Sequence, residues 1–226
     1  MKFVALIRYP FHADSIFTIF KCIQEGHVLV AVANLEPPAD QEELDSYMYQ
    51  SVGHRAVPYI AEALSVPLMR EKITGTAIKT SLHYDDKEYN PMDEVEDLTK
   101  LLARVEAVSA GAIFSKYQKD RVESVAIRLN LHVLAPLWEK DQYFLVKEMI
   151  ACEMEVIIIK VASLGLGKEH VGIPLGRMVD HLESLSAKFG FAVNFAGEGG
   201  EYESLVLDCP LFSSRLEMYV NVRVVV

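Results

Sequence analysis

The chain of 226 residues and 25.4 kDa is 51% apolar and 24% charged, with 12 Gly and 9 Pro scattered along it. That composition excludes intrinsic disorder, collagen-like repeats and coiled coil, and suits one α/β domain or one with a small appendage. The formal charge of -10, from 22 Lys plus Arg against 32 Asp plus Glu, argues against a broad footprint on nucleic acid or on an anionic membrane.

Residues 2–7 form a short bounded apolar run and read as a strand, and Ile16, Ile19, Phe20 and Ile23 follow at helical spacing up to Gly26. Residues 28–34 are a second, buried strand, and 35–40 a loop with paired prolines. A helix over 43–64 carries Leu44, Met48, Val52, Ile60 and Leu64 on one stripe, and 67–70 is a third strand. The polar, turn-rich stretch 74–91 reads as a mobile insertion. Beyond it the pattern predicts a helix within 93–108, a strand at 110–114, a helix at 121–131, a short strand at 133–135, a helix at 142–152, a strand at 156–161 and a helix at 175–189. Strand candidates at 191–195, 205–208 and 216–226 close the chain.

Alternating strands and helices predict an α/β fold with a Rossmann-like, mostly parallel sheet covered by helices on both faces, and ligand sites at the carboxyl ends of its strands. The closing strands predict a smaller C-terminal α/β or β-rich subdomain, with a change of style near Ser115. Three cysteines, Cys22, Cys152 and Cys209, make no C-x-x-C pair and cannot all be bridged to one another, which favours a reducing compartment. With no signal-type segment and no uncharged run near ~20 apolar residues, a cytoplasmic location and no membrane contact are expected.

Three segments concentrate chemistry-bearing residues. Residues 197–203 place Glu198, Glu201 and Glu203 in a loop with Gly197, Gly199 and Gly200, together with Tyr202. Crowded carboxylates are tolerable in water, or useful where magnesium, a cation or an amine neutralises them. In residues 43–54, Asp45 and Tyr49 share a helix face, as do Gln50 and His54, so the segment is either an ordinary amphipathic helix or a polar wall of a crevice. Residues 115–123, with Ser115, Tyr117 and Arg121, lie between a strand and a helix, where an α/β sheet binds anions, although a plain charged loop has the same pattern. No histidine pair has metal spacing, and G-x-G-x-x-G, G-x-x-x-x-G-K-[ST] and G-x-S-x-G are all absent.

Taken together, the stretches ELDSYMYQSVGH (43–54), GAIFSKYQKDRVESVAIRLNL (111–131) and GEGGEYESLVLDCPLF (197–212) resemble the diphthine–ammonia ligase family, in the adenine nucleotide α-hydrolase (N-type ATP pyrophosphatase) group. The resemblance runs from Met1 to about Phe212. It implies a HUP-type sheet, with a nucleotide-binding subdomain at 1–114 and a substrate-recognition subdomain at 115–226. It implies ATP and Mg2+, adenylation of the carboxylate of diphthine on elongation factor 2, and displacement of AMP by ammonia to give diphthamide, with no nucleic-acid partner. Carried onto this chain, Asp14, Ser15, Asn34 and Ser115 would bind ATP. Glu198, Glu201 and Glu203 would be catalytic, and Tyr47, Tyr49, His54, Tyr117, Arg121, Gly199, Gly200 and Tyr202 would bind substrate. The resemblance does not settle a metal ligand.

One departure bears on activity. Relatives carry a pyrophosphate loop, S-G-G-K-D-S, directly after the first strand. Here Arg8-Tyr9-Pro10-Phe11-His12-Ala13 precede Asp14 and Ser15, which match the last two positions. Both glycines and the lysine are missing, and Pro10 removes an N–H. Residues 213–226 also drift from the family and stop early, a combination that a splice form would explain. The expectations are therefore a ligase of impaired turnover or a non-catalytic form that still binds elongation factor 2 or another partner. A relative acting on tRNA is disfavoured by the charge and the missing C-x-x-C pair.

Overall fold

A computed structural model of the chain describes residues 1–7, 13–38, 48, 54–82, 84, 90–189 and 193–218. The first part alternates β1 (Lys2–Leu6), α1 (Ala13–Gln24), β2 (Val28–Glu36), α2 (Val57–Ala63), β3 (Leu68–Lys72), α3 (Glu94–Leu102), β4 (Ala107–Ser109), α4 (Lys116–Leu129) and β5 (His132–Leu134). The strands form one sheet in the order β3-β2-β1-β4-β5 with every pairing parallel. The second part holds α5 (Gln142–Ala151), β6 (Glu155–Val161), α6 (Leu175–Phe189) and β7 (Tyr202–Asp208), with β6 and β7 antiparallel.

Both faces of the parallel sheet are buried, and β1 shows how. Its alternate residues Phe3 and Ala5, with Ile7 beyond, join Ile16, Phe17 and Ile19 of α1 and Val57 and Ile60 of α2. Its other set, Val4 and Leu6, joins Val95, Leu98 and Leu102 of α3 and Val122 and Val125 of α4. The first of these clusters also takes in Val146 of α5, Ile158 of β6, Met178 and Leu182 of α6 and Val206 of β7, so the C-terminal elements share a core with the α1 and α2 side of the sheet. Helix ends follow local chemistry: the Asp93 carboxylate accepts Val95 N–H, Asp141 accepts Tyr143 N–H and Phe144 N–H, and Asn130 at φ 55 closes α4.

The doubly covered parallel sheet and the small C-terminal sheet agree with the expected α/β class. Four local expectations change. The loop expected from residue 35 begins later, because Leu35 and Glu36 pair with Glu71 and Lys72 of β3. The strand expected at 110–114 is β4, Ala107–Ser109, so residues 110–115 form the turn at its carboxyl end. Residues 193–195 and 216–218 are not strand, although Leu216 N–H donates to Leu207 O at 2.8 Å; the rest of those two candidates, 191–192 and 219–226, lies outside the described residues.

The described part of the expected mobile insertion is tied down. Thr74 N–H and Gly75 N–H donate to the Asp97 carboxylate, Lys79 N–H donates to Asp93, and Thr76 pairs with Asp93. The α4–β5 unit completes the sheet through the pairing of β4 with β5. We therefore propose that the division expected at 114/115 falls after β5.

Candidate functional site

The sheet reverses direction of growth between β1 and β4, and the carboxyl ends of these strands open onto the first turn of α1. Ala13, Asp14 and Ser15 are buried there at 6%, 2% and 3% exposure. Ala13 N–H donates to Ser204 Oγ of β7 at 3.2 Å, which places the 197–212 segment against the residue just before Asp14. Asp14 Oδ1 accepts the neighbouring Ser15 N–H at 2.6 Å. Ser15 Oγ and, one turn on, Thr18 Oγ1 are buried hydroxyls with no hydrogen-bond partner among the described residues. Gly111, in the turn after β4, lies so close that a Cβ would sit 3.2 Å from Ser15 Cα and Ser15 N.

At the end of β2, Asn34 is 1% exposed and its amide donates to Ile7 O at 3.0 Å. Arg70 Nε donates back to Asn34 Oδ1 at 3.2 Å. Asn34 thus knits the ends of β1 and β3 together.

The glycine loop begins with Gly197 at φ +77, where a Cβ would meet Tyr202 O at 2.7 Å, and turns through a Gly200 N–H to Gly197 O bond. Gly199 is close-packed too, since a Cβ there would sit 2.2 Å from Asn194 Nδ2. Glu201 Oε1 accepts the Asn194 side-chain amide at 2.7 Å, while its Oε2 is buried without a hydrogen-bond partner among the described residues. Glu203, 6% exposed, sits on β7 opposite Lys160 of β6. Tyr202 is 1% exposed with its hydroxyl donating to Phe195 O. Burial, and then the carboxylates of Glu201, Asp14 and Glu203, push its phenol well above the ordinary value. Glu201 and Glu203 flank Tyr202 in the chain, and the Ala13–Ser204 bond brings the start of α1 to the same strand. Because its ring is enclosed, Tyr202 presents no open aromatic face.

Glu198 has a different setting. Its carboxylate accepts Ile113 N–H at 2.8 Å, Phe114 N–H at 2.7 Å and Ser115 N–H at 3.1 Å, filling the anion-binding turn ahead of α4. Ser115 therefore spends its N–H on a protein carboxylate. Arg121 is fully buried, with its guanidinium 3.2 Å from the Tyr117 ring centroid and 5.1 Å from that of Tyr84. It donates to Tyr117 O, Lys79 O and Ser81 O. Tyr117 and Arg121 thus hold residues 79–82 and Tyr84 against α4, with the guanidinium spent on carbonyls and rings of the protein. Tyr47 and Tyr49 lie outside the described residues, and His54 opens a 3-10 turn, His54–Ala56.

Sequence reasoning did not single out Gly111, Thr18, Gln142, Asn194 or Ser204. Gln142 stands at the start of α5, where Oε1 accepts Ala196 N–H at 3.0 Å and Nε2 donates to Asn194 Oδ1 at 3.3 Å. A polar residue buried at a helix start was a weak signal for Gln142; the others depend on contacts between distant segments.

The fit of the implied cofactors differs. Two hydroxyls without partners at a helix N-terminus, beside a glycine in close approach, suit a phosphate-bearing ligand such as ATP. For magnesium, no group of three or more His, Cys, Asp or Glu placed to hold a metal ion occurs among the described residues, so these residues by themselves do not fit a protein-held metal ion.

A doubly wound parallel sheet with a polar site at its switch point defines an α/β protein of the doubly wound class. The family description "Diphthamide synthase N-terminal domain" matches residues 1–133, and "Diphthamide synthase C-terminal domain" matches residues 141–224. The rat diphthine–ammonia ligase is 50% identical over 213 residues, covering 90% of this chain and 78% of that protein. The zebrafish one is 48% identical over 214 residues, covering 90% and 81%. The fission yeast (Schizosaccharomyces pombe) one is 47% identical over 210 residues, covering 90% of this chain and 34% of the longer relative. A solved predicted subunit of tRNA methyltransferase from Methanocaldococcus jannaschii aligns over 96% of this chain and 100% of that chain at 10% identity, with a TM-score of 0.43 too low to argue from. The chain belongs to the diphthine–ammonia ligase family.

Proposed function

We propose that this protein makes diphthamide on elongation factor 2 by ATP-dependent amidation of diphthine, and that its turnover is weakened by the sequence at residues 8–13. The carrying observation is the convergence of the α1 N-terminus with the 198–204 segment, through the Ala13 N–H to Ser204 Oγ bond, beside the buried Asp14, Tyr202 and Glu203. ATP supplies the adenylyl group: a diphthine carboxylate oxygen bonds to the α-phosphorus as pyrophosphate leaves, and ammonia then bonds to the acyl carbon as AMP leaves.

In this reading the Ser15 and Thr18 hydroxyls, in the first two turns of α1, hold phosphate oxygens. Glu201 and Glu203 orient ammonium or the substrate's fixed cation and take up the proton that ammonia loses on forming the amide. Phe114 and Phe144, 52% and 69% exposed beside the Glu198 turn and at the start of α5, offer apolar contact to a protein substrate. The reading carries a cytoplasmic location and no nucleic-acid partner. No helix among the described residues is long and apolar enough to cross a membrane.

The weakening follows from the sequence. Relative to S-G-G-K, residues 8–13 lack both glycines and the lysine. Losing two or three charge-assisted bonds to phosphate at ~1.5–3 kcal/mol each lowers ATP affinity by orders of magnitude. The test measures Mg-ATP binding by calorimetry, and AMP formation with ammonium and diphthine-bearing elongation factor 2. It uses the chain and a variant with residues 8–13 replaced by Ser-Gly-Gly-Lys. Binding at least ten-fold tighter and faster AMP release in the variant are expected. Elongation factor 2 binding with no AMP from either chain would show a non-catalytic protein instead.

A further inference from the structure

We infer that Glu198 is a positioning residue, an internal anion that locks the 197–203 loop onto the turn after β4 and sets the place of Glu201. The inference rests on the ligase reading for its kinetic consequences only. Three successive main-chain N–H groups, of Ile113, Phe114 and Ser115, converge on the Glu198 carboxylate at 2.7–3.1 Å. Such a turn is a preformed oxyanion cradle, and the Glu198 carboxylate fills it with both of its oxygens. A proton-transfer role needs a lone pair free for the substrate, and Glu198 has both oxygens engaged.

From this anchor a chain of amides leads to the acid cluster. Gln142 Nε2 lies 3.5 Å from Glu198 Oε2 and 3.3 Å from Asn194 Oδ1, and Asn194 Nδ2 donates to Glu201 Oε1 at 2.7 Å. Gln142 also accepts Ala196 N–H at 3.0 Å, so its amide orientation is fixed from both ends. Each link leaves one arrangement in which donors face acceptors, so a displacement of Glu198 is transmitted to Glu201 as a change of position. Glu198 therefore joins the turn at the sheet's switch point to the loop that carries Glu201, and acts through Glu201 and not on the reacting atoms.

The test compares Glu198→Ala, Glu198→Gln and the parent chain by amide hydrogen exchange, melting temperature and steady-state kinetics, with sodium nitrate or sodium formate added. Nitrate accepts N–H bonds but is a negligible base; formate does both. For Glu198→Ala the expected results are loss of protection at residues 113–115 and a fall in kcat of ~10–100-fold with KM for ATP within about three-fold. Both anions should raise its melting temperature more than that of the parent, and both should restore part of kcat. Glu198→Gln, which keeps one acceptor oxygen, should fall between. Rescue by formate with nitrate inert, or unchanged protection at 113–115, overturns the inference. If the parent chain forms no AMP, that failure belongs to the ligase reading, and exchange and melting still decide whether Glu198 fills the cradle.

Discussion

At the scale of single residues, the site region is built from polar groups whose partners come from far along the chain. Asp97 is an example outside the site. Burial alone would raise its carboxyl, but Gly75 N–H, the Lys100 ammonium and the Thr74 N–H and hydroxyl outweigh that and hold it below its ordinary 3.8. Between the folded value and 3.8 the unfolded chain binds more protons, so stability rises with pH through that window. The stabilisation is present above it and lost as pH falls through it. Asp97→Asn should lower stability at neutral pH and flatten the loss on acidification below pH 4, measured by urea midpoints; an unchanged acid slope would remove Asp97 from the account.

Gly111 belongs to the same scale. A methyl group there would press on the backbone of Ser15 at 3.2 Å and of Asp14 at 3.3 Å, neither of which can move without shifting α1. Gly111→Ala is expected to cost ~1–3 kcal/mol and to weaken ATP binding more than a distant substitution of equal cost. Thermal melting and calorimetry together separate the two effects.

At the scale of elements, α4 does two jobs from its first turns. The turn leading into it receives Glu198, and Arg121 fixes residues 79–82 through Lys79 O and Ser81 O. Both devices engage the protein's own groups at positions where the resemblance implies ATP or substrate binding. Lysine has neither the flat face for the Tyr117 and Tyr84 rings nor donors forked toward several carbonyls. Arg121→Lys should therefore cost ~1.5–3 kcal/mol and raise hydrogen exchange in residues 79–82. If exchange there is unaffected, Arg121 does not hold that segment.

At the scale of the whole molecule, the apolar cluster on the α1 side runs from Ile16 and Ile19 through Met178 and Leu182 to Val206, so the two halves share it. A fragment of residues 1–134 would expose the α1 and α2 side of the sheet. It is expected to aggregate or melt without a cooperative transition. A cooperative urea transition matching the full chain would overturn that expectation. The shared core also brings Ser204 to α1, so the site requires both halves.

The sequence by itself determined the order and kind of most elements, because apolar period, caps and breakers act over a few residues: α6 at Leu175–Phe189 and α5 from Gln142 are read directly. The family was legible in motif wording, and Asp14 and the acid segment were singled out as candidates. Only tertiary structure decided where strands pair, moving β4 to Ala107–Ser109 and extending β2 to Glu36, since pairing depends on neighbours distant in the chain. Only tertiary structure assigned Glu198 to the turn ahead of α4, enclosed Tyr202 and set Arg121 on backbone carbonyls. A carboxylate, a phenol or a guanidinium looks alike in sequence whether its partner is a ligand or the protein's own main chain. Contacts across some 85 residues, as between Ile113 and Glu198, leave no local pattern to read.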